Sequence, residues 1–176
     1  MLGWIAALLI APTQVTATPP LAASDWWERV TVTLTGDGKP QACIYETSGQ
    51  AKSSADCSVV GSGAKGVASK AVGGPGGQVT RITFERRFHS GITLPAPGAL
   101  HPGDTLLGRE VMKLAIDAGG KVSDCKIVST GGEMTPDYGC AEASTERFEA
   151  NAHPSAPTTR EGFMTITIYG HNENVA

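Results

Sequence analysis

Val30 to Gly49 reads VTVTLTGDGKPQACIYETSG, and Met112 to Gly131 reads MKLAIDAGGKVSDCKIVSTG. The two stretches match at a constant offset of 82, including a Gly-Lys turn, one cysteine and the final glycine. A second cysteine follows at an offset of 83, and alternating segments, QVTRITFE at 78–85 and FMTITIY at 163–169, end the match at an offset of 84. We interpret this nearly constant spacing as an internal duplication.

Each copy predicts the order β-β-α-β. Period-two alternation indicates strands, and the glycine-rich turns at 36–38 and 118–120 favour tight hairpins between them. The expected hairpin strands span 28–35 and 41–46 in the first copy and 109–117 and 121–128 in the second. A helix is expected over 52–70 in the first copy and from Thr135-Pro136-Asp137 to Phe148 in the second. The predicted fold class is therefore α+β: two β-β-α-β units, each a small antiparallel sheet covered by one helix and stapled by a disulfide.

The four cysteines are distributed evenly between the copies. In each copy one cysteine lies on the second strand and the other lies at the start of the helical segment. Four cysteines allow three pairings, and a duplicated unit that keeps its own bridge favours Cys43 with Cys57 and Cys125 with Cys140. A redox or metal role is less favoured, because the chain has no C-x-x-C motif and no histidine at ligand spacing.

Composition argues against several classes of function. The net charge is −3 and the isoelectric point is near 5.8, so no basic excess is present to neutralise nucleic-acid phosphates. His89, His101, His153 and His171 stand far apart in what reads as loop or terminal sequence. We predict no catalytic residue, no metal site and no cofactor. A Ser-His-Asp arrangement stays open, although no Gly-x-Ser-x-Gly motif is present.

The N-terminal sequence predicts export. The apolar block from Leu2 to Ala11 is stopped by Pro12 and fits the core of a signal peptide cleaved after Ala17, with a short buried helix as the alternative. The chain would then reach the periplasm or be secreted, and membrane anchoring would need a start further upstream. The expected organisation is a signal peptide (1–17), a degenerate unit (25–89), a Pro/Gly-rich linker (90–106) and a second unit (107–171).

The second unit carries short motifs in a defined order. An alternating strand leads to a turn ending in Gly120, the next strand ends in Ser129-Thr130-Gly131, and Arg147-Phe148-Glu149-Ala150 precedes the last strand. This order resembles the C-terminal domain of TonB, the energy transducer of Gram-negative bacteria, and its TonB/TolA-like relatives, over about 60 residues from Leu107 to Gly170. The first unit matches through its hairpin and last strand only. The resemblance marks Gly120, Ser129, Gly131, Arg147 and Phe148 as family motif positions.

The resemblance implies a periplasmic α+β domain that binds other proteins. In that family the edge of the last strand pairs with an extended segment of an outer-membrane receptor, which is strand addition. The partner here would be such a segment or another envelope protein. The alternative is that the strand is occupied inside the protein, against its copy at 78–85. Carried over, the binding edge is Phe163, Met164, Thr165, Ile166, Thr167, Ile168 and Tyr169.

We therefore expect a non-enzymatic, exported binding module linked to TonB-type transmembrane transport. Force transduction is not expected, because the sequence shows neither a membrane-length apolar run nor a long Pro-rich charged linker. The rival readings are a secreted hydrolase or inhibitor on a duplicated α+β scaffold and a structural envelope protein. A pocket with converging polar groups would favour the hydrolase, and a free strand edge would favour the binding module.

Overall fold

The alternating segments of both copies form one antiparallel sheet. The computed structural model describes residues 20–48, 79–151 and 159–172. Along the sheet the order is β2-β1-β3-β6-β4-β5, with every neighbouring pair antiparallel. The strands are β1 (Trp26–Leu34), β2 (Pro40–Thr47), β3 (Val79–Ser90), β4 (Asp104–Asp117), β5 (Val122–Gly132) and β6 (Thr159–Asn172).

The predicted α+β fold class is wrong, because the described chain is almost entirely β. The expected helix from Thr135 to Phe148 is reduced to one turn, α1 (Cys140–Ala143). Gly139, a poor helix former, precedes the turn, and the chain beyond it must extend so that Phe148 can reach the sheet. The other expected helix, over 52–70, and the signal peptide over 1–17 lie outside the described residues.

The hairpins that the sequence predicts are present, and their glycines explain the turns. Gly38 and Gly120 have φ angles of 77° and 84°, a region that favours glycine. Val32 pairs with Cys43 in the first hairpin, and Leu114 pairs with Cys125 in the second. These registers keep the offset of 82 that the sequence shows. The duplication itself stays a prediction.

The two sets of three strands meet along a seam between β3 and β6. The seam runs from Val79 opposite Asn172 to Ser90 opposite Gly162. Val32 on β1 pairs with Ile82, and its counterpart Leu114 pairs with Gly162, so the sheet aligns the third strands at an offset of 80. The offset of 84 that the sequence predicts for the third strands therefore differs from the offset of 80 in the structure. Because β3 pairs with β6, both sets of three strands belong to a single continuous sheet.

The apolar core lies on one face of this sheet and is divided into two clusters. The first is centred on β1, β3 and the end of β6, and the second packs under the segment that contains α1. The buried members of the first are Val32, Leu34, Cys43, Val79, Ile82 and Ile168. The second contains Phe88, Met112, Leu114, Ile116, Val122, Ala143, Phe148, Met164 and Ile166. We call this the core face.

The disulfide expected in the second copy is present, between Cys125 on β5 and Cys140 at the start of α1, with a Cα–Cα distance of 5.5 Å. It ties the edge strand β5 to residues 138–148, which cover the second cluster and which we call the covering segment. Cys43 is disulfide-bonded as well. Its expected partner, Cys57, lies outside the described residues.

We predict that Gly120→Ala destabilises the protein by at least about 1 kcal/mol. The residue has a positive φ, and an added Cβ would lie 1.9 Å from the Phe148 carbonyl oxygen. Urea unfolding followed by circular dichroism measures the change. Gly119→Ala is the matched control, since its Cβ would meet nothing closer than Asp117 Oδ1 at 3.4 Å. Equal losses in the two variants would contradict the argument.

Candidate functional site

The predicted binding edge at 163–169 is not an edge in this structure. These residues lie in the middle of β6, which pairs with β3 on one side and with β4 on the other. The alternative, that the strand is occupied inside the protein, describes the structure, but 163–169 lies opposite 83–89 on β3 and meets the expected copy at 78–85 only over 83–85. Strand addition at 163–169 would require one of these two pairings to break.

The strands at the two ends of the sheet are β2 and β5. Within the described residues β5 pairs with β4 alone, so the backbone on its outer side is available along most of its length. Ile127 and Val128 are 47% and 40% exposed there. Register shifts between Val111 and Met112 and between Ala115 and Ile116 bend this part of the sheet.

The family motif positions fall into two groups. Gly120 and Phe148 are brought together, since the Phe148 amide donates to the Gly120 carbonyl at 2.8 Å and its ring is 2% exposed. Arg147 is exposed, but its carbonyl accepts from the Leu21 amide at 2.7 Å. Ser129 and Gly131 lie on β5. Gly120 and Phe148 therefore fix where the covering segment meets the turn between β4 and β5.

Arg86 is the centre of a polar network on the core face, between the two apolar clusters. Its Nε donates to Glu28 Oε1 at 2.7 Å, and Nη1 donates to the Tyr138 hydroxyl at 3.2 Å and to Glu146 Oε1. The Tyr45 hydroxyl donates to the other oxygen of Glu28 at 2.7 Å. The side chain of Arg86 is only 20% exposed. Carboxylates from two different parts of the chain, Glu28 and Glu146, compensate its charge.

The network shifts the acid–base behaviour of its members. Burial by itself would lower the pKa of Arg86, but Glu28, Tyr138 and Glu146 outweigh burial and raise it. Burial and the hydrogen bond to Glu28 raise the pKa of Tyr45 to about 12. Burial, reinforced by Glu146, also raises the pKa of Tyr138. Arg86 thus stays charged and both tyrosines stay neutral at physiological pH.

Glu110 is a buried acid on this face. It is 5% exposed, and its buried Oε1 has no hydrogen-bond partner among the described residues. Burial, together with the negative charge of Glu142, raises the pKa of Glu110. Glu142 behaves in the opposite way, since it accepts a hydrogen bond from the Gly139 amide at 2.9 Å, which lowers the pKa of its carboxyl group.

The opposite face of the sheet carries a row of polar side chains across five strands, and four of the five are charged. The register places Glu46 beside Arg29, Arg29 beside Glu85, and Glu85 beside Thr167. Arg109 on β4 follows Thr167 and ends the row before Gly131 on β5. These side chains lie on one face, because residues directly opposite each other on paired strands point to the same side of the sheet. We call this the charged face.

An extended segment at 95–101, which we call the strap, lies over the charged face. Between the strap and the sheet is a groove of about 370 Å³, within the size range of small-molecule sites. It is lined by the arginines of the charged face and by polar residues of β3, β4 and β6. Besides the strap these are Arg29, Glu85, Arg87, His89, Asp104, Leu106, Arg109, Thr165, Thr167 and Tyr169.

The groove brings together residues that the sequence left apart. His89 lies on β3 rather than in a loop, and it lines the same groove as His101 of the strap. His171 lies on β6, with Nδ1 2.9 Å from Asp104 Oδ1. His153 lies outside the described residues. The sequence does carry a signal for this groove: charged residues occupy alternate positions of otherwise apolar strands. Sequence reasoning that considers the apolar positions alone does not detect it.

One cluster beside the groove contains serine, histidine and aspartate. The Asp25 carboxylate lies 2.9 Å from His89 Nδ1 and accepts the Ser90 hydroxyl at 2.7 Å. Hydrogen bonds from the Ser90 backbone and hydroxyl lower the pKa of Asp25. A nucleophilic serine needs the histidine between itself and the acid, whereas here the acid lies between them. This geometry gives Ser90 no general base.

Similarity to known proteins assigns this chain to no family. No family model, no curated protein and no solved structure matches this chain. The resemblance to the TonB C-terminal family therefore stays a prediction. Within 20–48, 79–151 and 159–172, no group of three or more His, Cys, Asp or Glu side chains is arranged to hold a metal ion. In the same part of the chain no helix has the length and apolar character that a membrane span requires.

We predict that Arg86→Met lowers the free energy of unfolding by roughly 3 kcal/mol, because it leaves the largely buried carboxylates of Glu28 and Glu146 without their cation. Urea unfolding measures the loss. Arg87→Met is the matched control: it lies next on the strand, is 42% exposed and pairs with Glu85 on the other face, so the expected cost is under about 1 kcal/mol. A larger loss from Arg87→Met would refute the central role of Arg86.

We predict that Glu110→Gln changes the pH dependence of stability. The raised pKa of Glu110 stabilises the fold at low pH, and this contribution is lost as the pH rises through the folded-state pKa, above 4.5. The variant does not titrate, so its stability relative to wild type should increase as the pH rises from about 4 to about 7.

Urea unfolding at a series of pH values measures this difference. Glu142→Gln is the control with the opposite sign, because the lowered pKa of Glu142 gives a contribution that is lost as the pH falls. If both variants changed stability in the same direction with pH, the assignment of the two carboxyl groups would be incorrect.

Proposed function

We propose that this protein is a non-enzymatic, exported binding module that captures an extended segment of an envelope protein by strand addition at β5. One observation carries the proposal: among the described residues, β5 is hydrogen-bonded to β4 on one side and to no strand on the other. Unpaired backbone amides and carbonyls on such an edge supply affinity for an extended peptide, and side chains at alternate positions supply selectivity.

The chemistry of β5 suits a selective partner rather than indiscriminate aggregation. Ile127 and Val128 offer apolar contact at the bend, and Asp124 and Lys126, which carry opposite charges, precede them on the strand. Charged side chains and bulges are devices that restrict edge-to-edge pairing of sheets. A matching segment would carry apolar residues opposite the bend and charges complementary to Asp124 and Lys126.

The edge is held rigidly, which lowers the entropic cost of binding. The disulfide joins β5 to the covering segment through Cys140, and Phe148 locks that segment to the Gly120 turn. A preorganised edge loses little conformational freedom when a partner pairs with it. The envelope location and the TonB-family relationship within this proposal depend on the motif order at 107–170 and on the apolar block at 2–11.

The alternative of a secreted hydrolase has less support. Its best candidate, the cluster of Asp25, His89 and Ser90, has the acid between the serine and the histidine. A structural envelope protein would also use its edges, but it would not need exposed aliphatic side chains next to a pair of opposite charges.

We predict that the immobilised full chain retains a specific protein from solubilised outer-membrane proteins of a Gram-negative bacterium. Ile127→Lys should reduce the retained amount at least about fivefold, because a further charge on the edge opposes pairing. Ile44→Lys on the other end strand, where the isoleucine is 55% exposed, is the matched control and should retain the wild-type amount.

Hydrogen exchange then locates the contact. With the retained protein added, amides within β5 should exchange more slowly, and those of β2 should not change. Absence of a retained protein, or loss of retention with Ile44→Lys alone, would overturn strand addition at β5.

A further inference from the structure

Arg109 is the one arginine of the groove whose charge is not compensated within the described chain. Arg87 donates to Glu85 at 3.0 Å, and Arg29 lies 3.9 Å from the same carboxylate and 3.6 Å from Glu46. Arg109 makes no ion pair with another described residue, and its buried Nε has no hydrogen-bond partner among them. Its neighbours across the sheet are Thr167 and Gly131, neither of which carries a charge.

The surroundings of Arg109 favour a ligand that carries a negative charge. The groove is lined by three arginines and two carboxylates, so its net charge is positive by one with neutral histidines. Asp104 is directed to His171 at 2.9 Å, and Glu85 is shared by the other two arginines. A monoanion would therefore restore neutrality, whereas a dianion would be repelled by the carboxylates nearby.

We propose that the groove under the strap is a binding site for a carboxylate group, held by the guanidinium of Arg109. A guanidinium and a carboxylate match in shape, because two parallel N–H groups can donate to two oxygens. The Thr165 and Thr167 hydroxyls line the same groove and can donate to the remaining lone pairs. This site lies on the charged face and does not depend on strand addition at the outer edge of β5.

Two sources can supply such a group: a small free carboxylate, or the C-terminal carboxylate of a peptide. The groove volume of about 370 Å³ admits either. Both ligands present a planar carboxylate with one negative charge. Each must therefore lose affinity for the groove when its carboxylate is converted to an amide. The experiment therefore uses matched acid and amide probes.

The test is calorimetric titration of the full-length wild-type protein with acetate, with N-acetyl-trialanine and with the C-terminal amide of that peptide. We expect binding of at least one acid and at least tenfold weaker binding of the amide. Preference for acetate identifies a small carboxylate, and preference for the peptide acid identifies a chain terminus. Equal binding of acid and amide, binding of neither acid, or equally tight binding of inorganic phosphate would overturn the proposal.

Variants then assign the interaction to Arg109. Arg109→Gln should weaken binding of the preferred acid at least tenfold, and Arg147→Gln, which removes an exposed arginine outside the groove, should change it less than twofold. Wild-type protein gives an independent readout that does not require the variant to fold. In nitrogen-15 NMR the Nε–H resonance of Arg109 should shift on titration while that of Arg147 stays constant, and the reverse result would refute the assignment.

Discussion

The structure depends on the placement of one cation, Arg86, in the middle of the core face. It lies on β3 and donates hydrogen bonds to the carboxylates of Glu28 on β1 and Glu146 in the covering segment. Its guanidinium also lies over the rings of Trp26 and Tyr138, 5.2 Å from the centre of each. A buried guanidinium is tolerated only where carboxylates surround it. The position of the covering segment is thereby tied to that of β1, and the two apolar clusters on either side of Arg86 keep a fixed position relative to each other.

The two faces of the sheet serve different purposes. The core face buries apolar side chains and compensates the charge of Arg86 with Glu28 and Glu146. Among the described residues, Arg109 has no ion-pair partner beneath the strap, and the outer edge of β5 has no strand beside it. Ligand recognition is expected where polar groups lack internal partners, because no internal hydrogen bond or ion pair then has to break.

Sequence patterns located the strands and the hairpin glycines well, because alternation and positive φ are local properties. They predicted the pairing of Cys125 with Cys140 through the repeat. They failed where neighbours are distant in sequence: alternation does not specify which strands adjoin, so the pairing of β3 with β6 could be raised only as an alternative. The helix was overestimated because capping signals at Thr135-Pro136 take no account of the contact between Phe148 and Gly120. Arg29, Glu85 and Arg109 were passed over because only the register of the sheet brings them into one row.

The seam between β3 and β6 also has a consequence for how the chain folds. Its partners are between 72 and 93 residues apart, whereas the hairpins close over turns of a few residues. The loss of chain entropy on closing so large a loop precedes any gain from the seam, so each hairpin is expected to form long before the two meet. Until then the long inner strands β3 and β6 are themselves bare edges. During synthesis the first three strands emerge well before their partner, and this interval is when the chain is most exposed to pairing with a second copy of itself.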